Sequence, residues 1–291
     1  MKKTVFLEAA LNGPWSRSKQ PLMPIKEDEL IRQGIQCASM GASIIHFHVY
    51  NPKTERQFES YKSYKRVIEG IKNECDVIVY PTLPLSGSKD AKLNYKPAER
   101  FEVVEELAKD RLLEWSVIDP GTTNISGIDD IKAKKLGFIY NNSEEEIKYG
   151  LNLAAQYKFH PSFAIYEPGF LRLGNNLVKT VKNCPKPIYR FMFSDNFTFG
   201  FPPLPIFLKA YLELLKIECN SAFWMIAGLR VNLDNLISYT LGKRGHIRVG
   251  LEDANFFSTL NNIEIVKKAV YKINQNGFSL GSAKSLRKIL K

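Results

Sequence analysis

Apolar and polar positions along the chain switch repeatedly between a period of two and a period near 3.6, the marks of strands and helices. Val5 to Leu11 is a short apolar run closed by the turn residues Asn12-Gly13-Pro14, and it predicts a first strand. After a polar loop containing Pro21 and Pro24, Lys26 to Met40 carries Leu30, Ile31, Ile35, Cys37 and Ala38 on one helical stripe, closed by Gly41. Ser43 to Val49 is a second apolar run, which completes a βαβ unit. The same reading gives helices over Tyr61 to Glu74, Pro97 to Lys109, Glu144 to Gln156, Gly169 to Val181, Pro205 to Leu215, Leu233 to Leu241 and Ile263 to Gln275. Between them it gives strands over Val77 to Thr82, Trp115 to Ile118, Leu136 to Tyr140, Ser162 to Tyr166, Ile188 to Phe193, Ala222 to Ala227 and His246 to Val249.

Strands rich in Val and Ile and apolar on both faces belong to parallel sheets covered by helices. About eight such repeats predict an α/β fold, a (β/α)8 TIM barrel, as one domain over residues 1–291. The turn after Val5 to Leu11 has no Gly-x-Gly-x-x-Gly pattern, so a dinucleotide-binding open sheet has no support. A chain of 291 residues, 44% of them hydrophobic, is long enough to bury the core that such a barrel needs.

Charge changes the picture little. The excess of +11 invites an anionic partner, but the basic residues are scattered over helix faces, apart from short clusters at Lys132 to Lys135 and Lys284 to Lys291. They read as solvated surface rather than a nucleic-acid interface. Cys37, Cys75, Cys184 and Cys219 lack the close spacing of a zinc knuckle or redox motif. With no signal-like start and no apolar run long enough to span a membrane, the expectation is a cytoplasmic protein with reduced thiols and no membrane partner.

The candidate chemistry lies at strand ends. His46 and His48 are spaced i, i+2 at the end of the second strand, so their side chains share a face about 7 Å apart along it. Barrel active sites form at the C-terminal ends of the strands, where Thr82, Thr122, Asn124 and Glu167 also fall, with Glu252 and Asp253 after the last strand. Alone, Glu252 is an ordinary loop acid and Asp253 an ordinary helix cap. In a barrel, however, strands two and eight both flank strand one, so Glu252 can meet His46 and His48 as a third metal ligand. Two imidazoles, one carboxylate and an open position describe a catalytic zinc site, and the set also suits iron or manganese. Arg248 can face the same pocket only if the chain bends near Gly250, because four extended residues would otherwise carry it about 13 Å from Glu252.

The strings Gly245-His-Ile-Arg-Val-Gly-Leu-Glu-Asp253, Gly41-Ala-Ser-Ile-Ile-His-Phe-His48, Ala9-Ala-Leu-Asn-Gly13 and Gly121-Thr-Thr-Asn124 resemble those of the β-keto acid cleavage enzymes. Ile165-Tyr-Glu-Pro-Gly169 and Trp224 to Gly228 extend the resemblance over nearly the whole chain. It implies a metal-dependent barrel, usually a homo-oligomer (dimer or tetramer), that takes a β-keto acid and acetyl-CoA to acetoacetate and a new acyl-CoA. By matching position, His46, His48 and Glu252 would hold Zn²⁺ or another divalent metal, and Asp253 would be the general base. Arg248, Glu167 and Thr82 would orient the reacting groups, and Thr122 and Asn124 would contact the keto acid. The runners-up are another metal-dependent barrel lyase or isomerase, and a diverged barrel that binds metal and ligand without turnover.

Two departures stand out. Thr82-Leu83-Pro84-Leu85 replaces a Thr-Gly-Gly-like turn, with Gly87 only later, and Pro84 fixes its φ and removes an N–H. Where an acid would meet an amino-bearing substrate, this chain has Pro14-Trp15-Ser16-Arg17. Trp15 and Arg17 therefore predict an apolar or anionic keto acid.

Overall fold

The computed structural model describes residues 3–85, 95–219 and 221–291, so Gly87 lies outside the described residues. Its main sheet has eight strands: first Leu7–Ala10, second Ile44–Phe47, third Ile78–Pro81, fourth Trp115–Val117, fifth His160–Ile165, sixth Ile188–Phe193, seventh Phe223–Gly228 and eighth His246–Val249. They are hydrogen-bonded in the order third, second, first, eighth, seventh, sixth, fifth, fourth. The first strand pairs in parallel with both the second and the eighth, as the (β/α)8 barrel requires of the chain's first and last strands. No described helix is long and apolar enough to cross a membrane.

The chain forms two compact units, one of residues 1–82, 225–227 and 232–291, the other of residues 83–224 and 228–231. In the first unit, the helix Tyr61–Lys72 is started by the Ser60 side chain, which accepts from the Ser63 N–H. It buries Tyr64, Val67, Ile68 and Ile71, an i, i+3, i+4, i+7 stripe that faces the core. The helix Glu27–Ser39 packs so closely there that a Cβ at Gly34 would stand 2.5 Å from Ile71 Cδ1. The basic stretch that begins at Lys284 lies on a last helix, Ala283–Leu290, with Lys291 just beyond it; the helix buries Ala283, Leu286 and Leu290 and leaves Lys284 and Lys288 exposed.

In the second unit, two expectations are corrected. Phe138–Tyr140 is a strand, but it pairs antiparallel with Thr123–Ile125, outside the main sheet. The reason is burial: Leu136 and Ile139 are 88% and 48% exposed, so the run has no second covered face. The helix expected over Pro97 to Lys109 is two helical pieces, Pro97–Arg100 and Glu102–Lys109, parted at Phe101. In the first unit, the helix expected over Tyr61 to Glu74 ends at Lys72.

Candidate active site

Register places the polar residues of the first unit on one face. Glu8 is paired with Arg248, Ala10 with His46, and His46 with Tyr80. Because side chains two apart on a strand share a face, Glu8, His46, Tyr80 and Arg248 all point to the same side. His48 follows, held by its backbone: its N–H donates to Asn12 Oδ1 at 2.9 Å, and its carbonyl accepts from Asn12 Nδ2 at 2.9 Å. Asn12 is fully buried and also holds the Pro24 carbonyl at 2.9 Å, so one amide fixes the start of the loop and the end of the histidine strand together.

Glu252 reaches the histidines because the chain turns sharply at Gly250. There φ is +150°, and a Cβ would stand 1.9 Å from Ala10 O. Glu252 N–H donates back to Ala10 O at 3.3 Å. Its Oε2 lies 3.4 Å from His46 Nε2 and 3.6 Å from His48 Nε2. All the candidate ligand atoms of His46, His48 and Glu252 fall within 4.8 Å of one another, and all three residues are buried.

The far nitrogens of both rings are anchored. His46 Nδ1 faces Tyr80 O at 3.3 Å, and His48 Nδ1 faces Gln57 Oε1 at 2.8 Å. Such acceptors orient imidazoles and leave Nε2 to bind a metal. His48 Nε2 and Glu252 Oε2 are buried without a hydrogen-bond partner, a costly arrangement unless something else meets them.

Arg248, fully buried, gathers the acids. Its Nε lies 3.1 Å from each Asp253 carboxylate oxygen, its Nη2 lies 2.7 Å from Asp253 Oδ1 and 2.7 Å from Glu252 Oε1, and its Nη1 lies 3.4 Å from Glu8 Oε1. Tyr80 Oη donates to Glu8 Oε1 at 2.6 Å. Burial works against every charge here. For Glu252 it is outweighed by Arg248, His46 and His48, which hold the carboxyl well below the usual range. For Asp253 it prevails over Arg248, with Glu252 and Glu8 adding repulsion, and the carboxyl is pushed up to about 6. Three buried carboxylates thus share one guanidinium, an excess of negative charge that suits a divalent cation between the histidines and Glu252.

The remaining residues singled out by sequence are dispersed in role. Trp15 Nε1 donates to Glu252 O at 2.8 Å and its ring stands edge-on to Phe256, so it walls the candidate ligand. Arg17 is turned to Glu29 at 2.9 Å, next to the start of the first helix. Thr82, half-buried, follows the third strand and donates its N–H to Phe47 O at 3.2 Å. In the second unit Glu167 Oε1 accepts from Gly200 N–H at 3.0 Å and from Thr123 Oγ1 at 3.4 Å. The Thr122 hydroxyl donates to Asn142 O at 3.1 Å and accepts the Asn142 N–H at 2.9 Å, while Asn124 is exposed on the antiparallel strand. The turn at Pro84 is held by the buried Arg100, whose Nε donates to Pro84 O at 3.3 Å.

Sequence reasoning passes over Glu8, Tyr80, Asn12 and Gln57. Glu8 carries a signal, a charge inside an otherwise apolar strand. Gln57 carries none, since its contact with His48 depends on a hairpin between Tyr50–Asn51 and Arg56–Gln57.

Fold and site together define a (β/α)8-barrel protein with a buried cluster of two histidines and one carboxylate, backed by an arginine–carboxylate network. The chain belongs to the beta-keto acid cleavage enzyme family, whose model matches residues 4–291. It is 23% identical over 295 residues to the 3-keto-5-aminohexanoate cleavage enzyme of Acetoanaerobium sticklandii, covering 100% of this chain and 98% of that one. It is 21% identical over 310 residues to the 3-dehydrocarnitine:acetyl-CoA trimethylamine transferase of Rhizobium meliloti, covering 100% and 97%. Among solved structures it resembles ObcA bound to oxaloacetate, with a TM-score of 0.73 and 13% identity over 93% of this chain and 67% of that one.

Proposed function

We propose that the protein is a metal-dependent enzyme that takes a β-keto acid and acetyl-CoA to acetoacetate and a new acyl-CoA. The observation that carries this reading is the buried set His46, His48 and Glu252, with Asp253 held beside it by Arg248. Acetyl-CoA comes from the name of the Rhizobium meliloti relative, and the keto acid from the family.

In this reading His46 Nε2, His48 Nε2 and Glu252 Oε2 hold a divalent ion, Zn²⁺ being well suited to the donor set, with iron or manganese as alternatives. The ion would act as a Lewis acid toward the keto acid's carboxylate and ketone oxygens and favour loss of a C2 proton. Asp253 accepts that proton, and Arg248 keeps its carboxylate aimed and its charge offset. C2 then bonds to the acetyl carbonyl carbon and CoA leaves as the thiolate. The thiolate adds to the original ketone carbon, the C2–C3 bond breaks, and its electron pair takes a proton back at C2. Thr82 orients the reacting groups from the end of the third strand.

Arg17 is already matched by Glu29, and Trp15 presents a wall beside Glu252, so the keto acid favoured is one with an uncharged tail. The test is turnover of a keto-acid panel with acetyl-CoA, scored for acetoacetate, together with metal analysis of the purified chain. Neutral-tailed keto acids should be turned over, and Asp253→Asn should lower kcat by about 10²–10⁴-fold, as loss of a general base does. Cleavage that persists without acetyl-CoA would sink the reading in favour of a lyase.

A further inference from the structure

We propose that Gln57 and Glu59 form a positioning relay that fixes the His48 proton on Nδ1, and so turns the Nε2 lone pair toward a metal ion. This rests on the reading of His46, His48 and Glu252 as metal ligands.

The relay follows from which atoms can donate. Gln57 closes a short hairpin in which Tyr50 is paired with Gln57, and Phe58 N–H donates to Val49 O at 3.3 Å, so the hairpin returns to the end of the histidine strand. Gln57 Nε2 lies 3.2 Å from Glu59 Oε1. An ionised carboxylate only accepts, and of the two amide ends only the nitrogen donates, so Glu59 selects the amide orientation with nitrogen toward itself. The reversed amide would set oxygen against oxygen. Gln57 Oε1 is thereby directed at His48 Nδ1, 2.8 Å away, and an accepting oxygen there requires Nδ1–H. A neutral His48 protonated at Nδ1 carries its lone pair on Nε2, the atom that is buried without a hydrogen-bond partner. The other tautomer would aim Nε2–H at Glu252 Oε2 across 3.6 Å, too long for a hydrogen bond.

The two histidines differ in one respect. His46 Nδ1 meets a backbone carbonyl, Tyr80 O, which no substitution removes. His48 depends on a side chain, so its alignment is set by residues 57 and 59. Outer partners of metal-bound histidines typically contribute 10–100-fold in metal affinity.

The experiment uses the full chain. Long-range ¹H–¹⁵N spectra of the metal-free protein read the tautomer of each of its four histidines, with His48 assigned by its loss in His48→Gln. Competition with a chromophoric chelator reads Zn²⁺ affinity, and circular dichroism confirms folding. In the wild type His48 should be protonated at Nδ1. Gln57→Leu should lose that preference and bind Zn²⁺ about 10–100-fold more weakly. Gln57→Glu, which still offers an acceptor, should restore both. Glu59→Gln, which no longer selects the amide orientation, should give mixed tautomers and an intermediate affinity. A folded Gln57→Leu with the wild-type tautomer and wild-type affinity overturns the relay. A wild type that takes up no Zn²⁺, iron or manganese overturns the metal reading instead, and the tautomers of the metal-free protein still judge the relay.

Discussion

At the scale of single residues, Arg248 is the member of the site on which the others depend. It is the one guanidinium facing Glu8, Glu252 and Asp253 among the described residues, and burial that would otherwise weaken its charge is outweighed by those carboxylates, so its proton is held more tightly than usual. Removing one partner from a buried charge cluster costs about 3–5 kcal/mol, because the groups left behind stay buried and unpaired. Arg248→Met is therefore expected to destabilise the protein by about that much. Glu8→Gln should cost less, since its amide oxygen can still accept from Tyr80 Oη. Urea unfolding of the two variants checks the order, and equal losses would show that Glu8 anchors the network as much as Arg248 does. His46, His48 and Glu252 are legible in sequence because spacing on a strand and position at a strand end are local facts. Asn12 carries only a turn signal, although its amide bonds His48 and Pro24. Arg17 suggests a residue facing substrate, and no local pattern shows that Glu29 meets it.

At the scale of elements, the eighth strand and the turn after it carry the functional geometry. The expected bend near Gly250 is found there, because only a residue without a side chain accepts φ +150° with Ala10 O so close. Gly250→Ala should force that turn away from the first strand, drawing Glu252 Oε2 from the histidines. The expected outcome is a loss of more than about 3 kcal/mol in urea unfolding, from backbone strain and an unavoidable overlap. Wild-type stability for this variant would mean that the turn can relax, and the bend would lose its part in assembling the site. Elsewhere the limits of sequence reading are physical. The run at Leu136 to Tyr140 has the look of a barrel strand, since pattern alone cannot tell an exposed hairpin strand from a covered one. The C-terminal lysines hide a helix stripe of Ala283, Leu286 and Leu290, because the charges interrupt the apolar positions between them.

At the scale of the whole molecule, the order of eight strands is largely legible because each βα repeat announces itself locally, while the energetics of a half-buried histidine in the eighth strand are not. His246 Nδ1 accepts the Phe6 N–H at 3.2 Å, and the ring stands edge-on to Phe6 at 5.1 Å. Burial disfavours its charged form and pushes its pKa down to about 3. The sign follows directly. An unfolded histidine takes up its proton near pH 6.5, well before the folded one, so the unfolded chain is favoured as pH falls. The stability from a neutral His246 is present in full above about pH 6.5 and is lost as pH drops toward about 3, with a slope of at most about 1.4 kcal/mol per pH unit. Asp253, whose carboxyl burial pushes up to about 6, titrates inside the same window, so the His246 contribution is read from a comparison of two chains. His246→Asn offers an acceptor to Phe6 N–H but has no proton to take up. Urea midpoints measured from pH 7 to pH 4 should therefore fall less steeply for His246→Asn than for the wild type, by close to one proton's worth of slope. Parallel profiles would mean that the folded protein accommodates a charged His246, and that burial of this ring does not govern its acid stability.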